Sequence, residues 1–533
     1  MQETNRANNL LLVDYRYGYD YSTYLCAGSL TLAVKSEQDD RQTKRVAPGS
    51  RAFYFAQGDI IMQTITMKFG GTSVGSPEAI SNVVNIVGEA VAQGNRVIVV
   101  VSAMSGVTDQ LIGSVREAAA GNRWGYLSCS QKLRDRHHEV VNLLTVPGKN
   151  RGDVLNDIEI LLSQHTELCN AINILGEATP RISDSIVAFG ERLSSRIVAA
   201  VMRHARINAR AFDAGQFLVT DDRFGSATPN WEETERRIQN ALVPLLDQGI
   251  VPVLTGFIGA TPDGQITTLG RGGSDYSGAI FAAYSNSDEL IIWTDVDGVM
   301  TTDPRIDRRA RVLPNISYTE VGELAFYGAK VLHPKTVQPI LNKGIPMRVR
   351  NTFNPKHPGT LISEVAEPTH TVIKAVTAVR NVSLVTVQGK GMIGVPGIAG
   401  RTFLATARAG ANILMISQAS SEQNFCFVVM NERVEQAKAS IEEELAKEIA
   451  RQDVDGIDVM QKVSVVTVVG AGMRGTPGVA GRVFTTLGNN DVNVIAIAQG
   501  ASECSISFVV DETNIERTVL SLHDLALEAV PVH

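Results

Sequence analysis

The sequence has 533 residues, of which 44 % are hydrophobic and 20 % charged, and its formal net charge at pH 7 is −7. At roughly 150 residues per domain, this length predicts three or four domains. The acidic balance argues against sequence-independent binding of nucleic acid, which needs a concentrated basic face. The apolar runs are shorter than the roughly 20 residues of a membrane-spanning helix, and the five cysteines show no CxxC spacing. We therefore expect a cytoplasmic protein with no membrane or nucleic-acid partner.

Residues 1–61 differ in composition from the rest of the chain. A tyrosine-rich run at 14–24 has no periodicity that would suit a buried core, and the apolar run 10–13 is too short for a signal peptide. We interpret 1–61 as an atypical N-terminal extension that is disordered or an artefact of start-site choice, with Met62 as the better start. A functional N-terminal arm is the alternative.

From residue 62 to 363, short strand-like runs alternate with longer helical patterns. This alternation is typical of βαβ units, and it predicts a mainly parallel sheet with helices on both faces. Phosphate-type ligands of such sheets bind at the carboxyl ends of the strands. The predicted strands include 96–101, 250–255, 289–293 and 346–349.

The C-terminal region contains a duplication. Residues 389–431 align without a gap with residues 470–512, and 18 of the 43 aligned positions are identical. Each copy has the pattern of a strand, a glycine-rich turn, a helix and two further strands. The repeat therefore predicts two small α+β modules.

Both copies contain the pattern GxGxxG directly after a strand, at 389–394 and 470–475. On its own this pattern suggests a dinucleotide site, but the second strand of each copy ends without the acidic residue that would hold a ribose. Each unit is also too short for a Rossmann sheet. We expect no NAD here, and instead a glycine turn that lets the backbone approach a small ligand or a neighbouring module.

The first segment with candidate chemistry is 68–73, at the end of a strand and before a helical stretch from Pro77. Lys68 offers a mobile cation, and the amides of Gly70 and Gly71 could cradle a phosphate group. A tight turn with a surface lysine is the alternative.

A second segment, 267–277, combines three glycines with an arginine and an aspartate. Arg271 can grip a carboxylate with two hydrogen bonds. Asp275 could orient cationic groups near the phosphates, or serve only as a helix N-cap.

The third and fourth segments are 291–305 and 326–334. An apolar strand carries Thr294 and Asp295 to its carboxyl end, where ligands collect, whereas the Asp-Gly and Asp-Pro pairs that follow suit turns. Lys330 offers a second phosphate-side cation, and His333, next to a proline, suits a structural role.

Together, the segments 68–73, 270–277, 293–305 and 328–334 resemble the signatures of aspartate kinases, which have the amino acid kinase fold. The duplication resembles the paired ACT modules that regulate them. The resemblance covers 62–533 and is strongest to monofunctional enzymes of archaeal type. It implies a mainly parallel α/β domain and two ferredoxin-like modules, with these boundaries: 62–363 catalytic, 364–380 linker and first strand of the regulatory region, 381–460 ACT module 1 and 461–533 ACT module 2.

The resemblance implies transfer of the γ-phosphoryl group of Mg-ATP to the β-carboxylate of L-aspartate, which begins the synthesis of lysine, threonine and methionine. A carboxylate is already ionised at neutral pH, so catalysis needs no general base. The resemblance gives the roles of the site residues: Lys68, Gly70, Gly71 and Asp275 for catalysis; Ser102, Thr108, Glu191, Arg271 and Ser274 for aspartate; Lys68, Gly70, Gly71, Thr72, Ser73, Thr294, Asp295, Met300, Arg305 and Lys330 for ATP.

Two of these assignments need comment. Considered alone, Glu191 suits a surface helix position, and only the family match places it at the substrate ammonium. Met300 stands where many relatives have tyrosine, so it can cover an adenine face but cannot donate a hydroxyl hydrogen bond. We assign no protein ligand to Mg²⁺, which prefers phosphate oxygens and water.

The ACT resemblance implies that an end-product amino acid, threonine or lysine, binds between modules of a homodimer or dimer of dimers. The candidate effector residues are Met392, Val395, Gly397, Ile398, Asn412 and Ile413. Three alternatives stay open: a kinase of the same fold with another acceptor, an amino-acid sensor, and a dehydrogenase built on the glycine motifs. The pair Glu191 and Arg271 favours an α-amino acid acceptor.

Overall fold

The computed structural model describes residues 62–327, 332, 336–364, 372–392, 395–418 and 423–528. The N-terminal extension 1–61, Lys330 and His333 lie outside these described residues. Within the described parts, no helix combines the length and the apolar character needed to cross a membrane.

The first half of the chain forms a sheet of eight strands. All neighbouring strands are parallel except the pair formed by Met347–Asn351 and Thr360–Ser363. In chain order the strands are β1 (Thr64–Phe69), β2 (Arg96–Val101), β3 (Ala209–Phe212), β4 (Val251–Thr255), the hairpin strands β5 (Ile258–Ala260) and β6 (Ile266–Thr268), β7 (Glu289–Thr294), β8 (Asn315–Ser317), β9 (Met347–Asn351) and β10 (Thr360–Ser363). Within the large sheet their order is β3-β4-β2-β1-β7-β9-β10-β8.

Helices cover both faces of this sheet. The first begins at Pro77 because Ser76 caps it, accepting a hydrogen bond from the amide of Ala79 at 3.2 Å. The helices are α1 (Pro77–Ala92), α2 (Val107–Ala119), α3 (Arg123–Leu144), α4 (Lys149–Leu175), α5 (Pro180–Val187), α6 (Phe189–His204), α7 (Trp231–Arg237), α8 (Val243–Asp247), α9 (Gly273–Tyr284), α10 (Tyr318–Phe326) and α11 (Gln338–Leu341).

The predicted alternation of strands and helices is interrupted once. Five helices, α2 to α6, follow one another between β2 and β3. They bury apolar faces against each other, with residues such as Leu111, Leu133, Ile158 and Leu162 fully enclosed. Their apolar side chains continue the core that α1 forms against β1 and β2, so this run of helices extends one face of the sheet domain.

The C-terminal region forms a second sheet of six antiparallel strands, which we call the C-terminal sheet. Its strand order is β12-β13-β11-β14-β16-β15. Its elements are β11 (Ala375–Gln388), α12 (Ile398–Arg408), β12 (Ile413–Gln418), β13 (Asn424–Met430), α13 (Val434–Glu444), α14 (Ala446–Ala450), β14 (Gly456–Val469), α15 (Val479–Asn489), β15 (Ala496–Gln499), β16 (Ser505–Asp511) and α16 (Ile515–Leu527).

The two repeats are closed by strands from different places in the chain. In the first, residues 384–388 of β11 pair with 456–460 of β14, which follows it in sequence. In the second, residues 465–469 of β14 pair with residues 375–379, the part of β11 that precedes both repeats. The second repeat is therefore completed by a segment from upstream of the first.

The glycines of the GxGxxG turns face backbone. A Cβ atom on Gly389 would collide with the carbonyl oxygen of Asp453, and one on Gly470 would collide with that of Val372. Each glycine therefore allows a close approach of the chain's own backbone, and the small ligand or neighbouring module expected at these turns stays a prediction.

Buried polar contacts join the second repeat to the parallel-sheet domain. Lys374, just before β11, places its ammonium 3.2 Å from the carboxylate of Glu320 on α10, and both side chains are buried. His523 on α16 lies with its two ring nitrogens 2.8 Å from Asp307 and 2.8 Å from the hydroxyl of Thr301. The two parts of the chain thus share a charged, enclosed interface.

Candidate active site

The carboxyl ends of β1, β2, β4 and β7 lie level at one edge of the parallel sheet, which we call the catalytic edge. The register pairs Phe69 with both Val101 and Trp293. Backbone hydrogen bonds continue past the strand ends: the amide of Gly70 donates to Trp293 at 3.0 Å, and that of Ser102 donates to Phe69 at 3.1 Å. The segments that follow β1, β2 and β7 therefore meet in space.

Lys68 is the charged residue at the centre of this edge. It lies on β1, is only 7 % exposed, and forms an ion pair with Asp275 in the first turn of α9. Helix α9 comes close because position 278 is glycine; a Cβ there would lie 3.2 Å from Cβ of Lys68. The ion pair holds the Lys68 ammonium next to the Gly70-Gly71 turn, where it could contact a bound phosphate group.

Glu191 projects into the same region from α6. It is 3 % exposed, so it does not occupy the surface position that the residue suggested by itself. The substrate role that the resemblance gave it stays a prediction. Burial raises the pKa of Glu191 to about 7, against the opposing effects of the Ala103 amide, its own amide and Lys68. Within the described residues, its Oε2 atom has no hydrogen-bond partner. A buried carboxylate in this condition is suited to receive a cationic ligand group.

Arg271 is exposed on the turn that precedes α9. The flanking Gly270 and Gly272 have φ angles of 77° and 71°, a left-handed conformation that favours glycine at both places. The guanidinium is thus presented at the end of a rigid turn. Next to it, Ser274 packs against Gly256, whose Cβ would lie 2.9 Å from that of the serine.

Asp184 on α5 supports this turn. It was not among the site residues predicted from the sequence. Its carboxylate accepts hydrogen bonds from the amide and the hydroxyl of Thr268, both at 2.9 Å, and from the amide of Gly225 at 2.8 Å. Burial raises its pKa, and the three hydrogen bonds oppose that effect. No local pattern marks this aspartate, because its partners lie 41 and 84 residues away.

Four of the predicted nucleotide residues lie at the end of β7 or in the segment that follows it. Thr294 ends β7, Asp295 is exposed beside it, and Met300 is partly exposed. Arg305 is exposed and pairs with Asp303 at 2.6 Å.

Ser73 and Thr72 differ in their surroundings. Thr72 is exposed, whereas Ser73 is fully buried and donates to the carbonyl of Trp293 at 3.2 Å. Ser73 also accepts a hydrogen bond from Thr352 at 2.7 Å. The structure therefore brings Thr72 to the edge and uses the Ser73 hydroxyl to join two strand ends.

Two predicted aspartate residues follow β2. Ser102 directly succeeds the strand, Thr108 is the second residue of α2, and both are partly exposed. They lie on the segment that leads from the catalytic edge into α2, beside Ala103, whose amide approaches Glu191.

A cavity of about 330 Å³ lies at the first repeat of the C-terminal sheet. Four of the six candidate effector residues line it, namely Met392, Val395, Gly397 and Ile398. Asn412 and Ile413 are not in its lining, which Gln418 and Phe425 complete instead. The second repeat has an equivalent cavity of about 280 Å³ at residues 473–480, with Gln499 in the place of Gln418.

A mainly parallel sheet has a buried lysine near the end of its first strand, and this lysine pairs with an aspartate at the start of a neighbouring helix. With the duplicated α+β unit that follows, these features indicate a small-molecule phosphotransferase with ACT modules. Residues 63–351 match the amino acid kinase family, and residues 385–445 and 466–525 match the ACT domain. Aspartokinase 1, chloroplastic, of Arabidopsis thaliana is 30 % identical over 87 % of this chain and 80 % of its own length. The chain belongs to the aspartokinases of the amino acid kinase family.

Other relatives are longer. Bifunctional aspartokinase/homoserine dehydrogenase 1, chloroplastic, of Arabidopsis thaliana is 36 % identical over 86 % of this chain. The chain spans about half the length of this and several other curated relatives.

Solved structures agree in fold. E. coli aspartokinase III in complex with aspartate and ADP, described as the R-state, has a TM-score of 0.74 and 29 % identity, covering 87 % of this chain and all of that one. The aspartate kinase of Clostridium acetobutylicum has a TM-score of 0.71 and 25 % identity, covering 86 % and 99 %. The fold class and family predicted from the sequence are confirmed.

Proposed function

We propose that this chain is an aspartate kinase, which transfers the γ-phosphoryl group of ATP to the β-carboxylate of L-aspartate and forms 4-phospho-L-aspartate. The observation that carries the proposal is the meeting of Lys68, Asp275 and Glu191 at one strand edge in a member of the aspartokinases. The similar E. coli enzyme has been solved with aspartate and ADP.

Phosphoryl transfer to a carboxylate needs charge neutralisation and positioning more than proton transfer, because the nucleophile is already ionised. Lys68 would move toward the transferring phosphoryl group, whose oxygens the Gly70 and Gly71 amides would also approach. Asp275 is a positioning partner that holds the ammonium in place beforehand. The buried setting strengthens each of these interactions.

Aspartate presents one ammonium and two carboxylates. Glu191 would pair with the ammonium, which supplies the countercharge that this buried carboxylate lacks. Arg271 would hold the α-carboxylate through two hydrogen bonds. Ser102, Thr108 and Ser274 would line the space between them, leaving the β-carboxylate toward Lys68.

The nucleotide would lie over the end of β7, with Thr294, Asp295, Met300, Arg305 and Lys330 on its side. Among the described residues, no group of three His, Cys, Asp or Glu side chains is placed to hold a metal ion. We propose that Mg²⁺ arrives as Mg-ATP, because this ion prefers phosphate oxygens and water as ligands.

Regulation would act through the ACT region. We propose lysine or threonine as effector, with Met392, Val395, Gly397 and Ile398 contributing to the site; E. coli aspartokinase III has been solved with lysine and aspartate in a T-state. The homodimer or dimer of dimers, the domain boundaries at 363, 380 and 460, and the cytoplasmic location stay predictions.

The test is aspartate-dependent formation of ADP from Mg-ATP, with hydroxylamine trapping the acyl phosphate, run with and without lysine and threonine. Turnover should fall by about 10²-fold or more in Arg271→Ala, because the α-carboxylate loses its partner. Arg451→Ala, an exposed arginine of the C-terminal region, serves as the matched control and should keep full activity. A folded protein that binds ATP but turns over glutamate or carbamate instead of aspartate would overturn the substrate assignment.

A further inference from the structure

A further cavity lies at one border of the parallel sheet, away from the catalytic edge. Its volume is about 340 Å³, and it lies among α4, α6 and β3. Strand β3 is one of the two edge strands of the sheet and lies three positions from β1. Nine residues line the cavity: Asp157, Ile160, Leu161, Gln164, Arg192, Arg196, Arg203, Arg210 and Ala211.

Four arginines dominate this lining. Arg192, Arg196 and Arg203 are spaced i, i+4 and i+11 on α6, which places them on one face of the helix. Arg210 joins them from β3. Glu191 directly precedes Arg192, but successive residues of a helix point about 100° apart. Helix α6 therefore carries Glu191 on the side of the catalytic edge and Arg192 on the side of the cavity.

The two more enclosed arginines share one carboxylate. Asp213 accepts from Arg192 at 3.1 Å and from Arg196 at 2.5 Å, and both arginine side chains are less than one-fifth exposed. Burial lowers the pKa of Arg192, with Asp213 opposing this effect and Arg196 adding to it. One carboxylate is thus shared by two partly buried guanidinium groups.

The other two arginines are less constrained. Arg203 donates to the amide oxygen of Asn150 at 2.9 Å and lies near Asp153 and Asp157. Arg210 is exposed, and in the part of the chain that the structure describes it has no hydrogen-bond or ion-pair partner. Four guanidiniums face three carboxylates in this region, so the cavity carries an excess of positive charge.

We propose that this cavity is a binding site for a phosphate group. Guanidiniums offer planar pairs of donors that match the oxygens of phosphate, and several of them converge here on one concave space. The volume lies at the lower end of the range for small-molecule sites. Ile160, Leu161 and Ala211 form an apolar wall, so the cavity has room for the carbon body of a phosphomonoester as well as for the bare ion.

The test is calorimetric titration of the full chain with inorganic phosphate and, in a second arm, with glycerol phosphate. Saturating ADP and aspartate are present throughout so that the catalytic edge is occupied. We expect saturable binding at one site per chain. A tighter complex with glycerol phosphate would identify a phosphomonoester as the ligand, and a tighter complex with inorganic phosphate would identify the free ion.

Arg210→Gln should weaken phosphate binding by about tenfold, because a charge-assisted donor is removed. Since Arg210 is exposed and unpaired among the described residues, its replacement leaves the fold intact. Arg203→Gln gives an independent variant with the same expected direction. Arg451→Gln, which removes the same charge in the C-terminal region, should bind phosphate as the unmodified chain does.

The proposal fails if no saturable binding is seen with the catalytic edge occupied. It also fails if Arg210→Gln and Arg203→Gln bind phosphate as tightly as the Arg451→Gln control. Kinase activity is not part of either criterion, so failure here leaves the proposed function untouched.

Discussion

Glycine-rich turns follow strands both at the catalytic edge and in the C-terminal sheet, but different groups surround the two kinds of turn. At the catalytic edge, the Gly70-Gly71 turn lies beside a buried lysine, an aspartate and a carboxylate whose pKa burial raises to about 7. In the C-terminal sheet, Gly389 and Gly470 face the backbone of the chain itself. The glycine pattern alone therefore does not show which of these turns lies beside charged groups.

The two repeats differ from each other as well. The first is closed by the strand that follows it, whereas the second is closed by residues 375–379, next to Lys374 and its buried partner Glu320. The two similar sequences therefore have different surroundings, and the second repeat forms buried polar contacts with the parallel-sheet domain. We expect substitutions at matching positions to have unequal effects.

The largest effect should come from the interface. Lys374→Met leaves the carboxylate of Glu320 buried without its ammonium, and we expect the free energy of unfolding to fall by about 3–5 kcal/mol. Urea denaturation followed by circular dichroism measures this. Arg401→Met, which removes partly buried ion pairs to Glu444 and Glu448 in the first repeat, should have a smaller effect, because water still reaches these side chains. Equal effects would show that the interface contributes no special stability.

At the catalytic edge, Lys68→Met should lower kcat by about 10²–10³-fold, because a cation at the transferring phosphoryl group is lost. The hydroxamate assay measures it. Lys390→Met is the matched control: Lys390 also lies in a glycine-rich turn after a strand, but it is exposed and belongs to the first repeat. Loss of activity in the control without effector would contradict the division between the two regions.

Within the C-terminal sheet, Gly389→Ala should destabilise the protein by about 1–3 kcal/mol, because the new methyl group meets the carbonyl of Asp453. Gly400→Ala, in helix α12 with open space at its Cβ position, should stabilise it by up to about 1 kcal/mol. Thermal unfolding of the two variants gives the signs. If both changes stabilise, the close backbone approach at the turn is wrong.

The smallest effect concerns pH. Since the pKa of Glu191 is raised to about 7, kcat/KM for aspartate should fall about tenfold per pH unit below 7 and level off above it. The sign for stability is opposite: a raised acid pKa stabilises the folded state at low pH, and this contribution is lost as the pH rises from 4.5 through 7. Glu191→Gln should therefore be more stable than the unmodified chain at pH 8, by roughly 1–3 kcal/mol.

The control for this prediction is Glu516→Gln, whose carboxylate is 73 % exposed. It should leave both the pH profile of kcat/KM and the stability at pH 8 unchanged. A flat profile between pH 5.5 and 7 in the unmodified chain would mean that Glu191 is ionised throughout and does not control aspartate binding.

Local patterns predicted much of the fold. The strands at 96–101 and 289–293 and the start of a helix at Pro77 appear in the structure close to their expected bounds, and the C-terminal region contains α+β repeats. Hydrophobic periodicity and capping act within a few residues, so they can be recognised in a single sequence. The helical hairpin of α3 and α4 was missed, because its core comes from contacts between helices.

Lysine, glycine and aspartate in the segments 68–73 and 270–277 suit phosphoryl transfer, so this chemistry could be predicted from the residue types alone. Which of the charges are buried depends on how distant elements pack. Glu191 became a buried carboxylate because α6 packs against Ala103, Ser73 became a link between strands, and the arginines of α6 met Arg210 because β3 lies beside that helix. Desolvation depends on neighbours that are far away in sequence, and no local pattern records them.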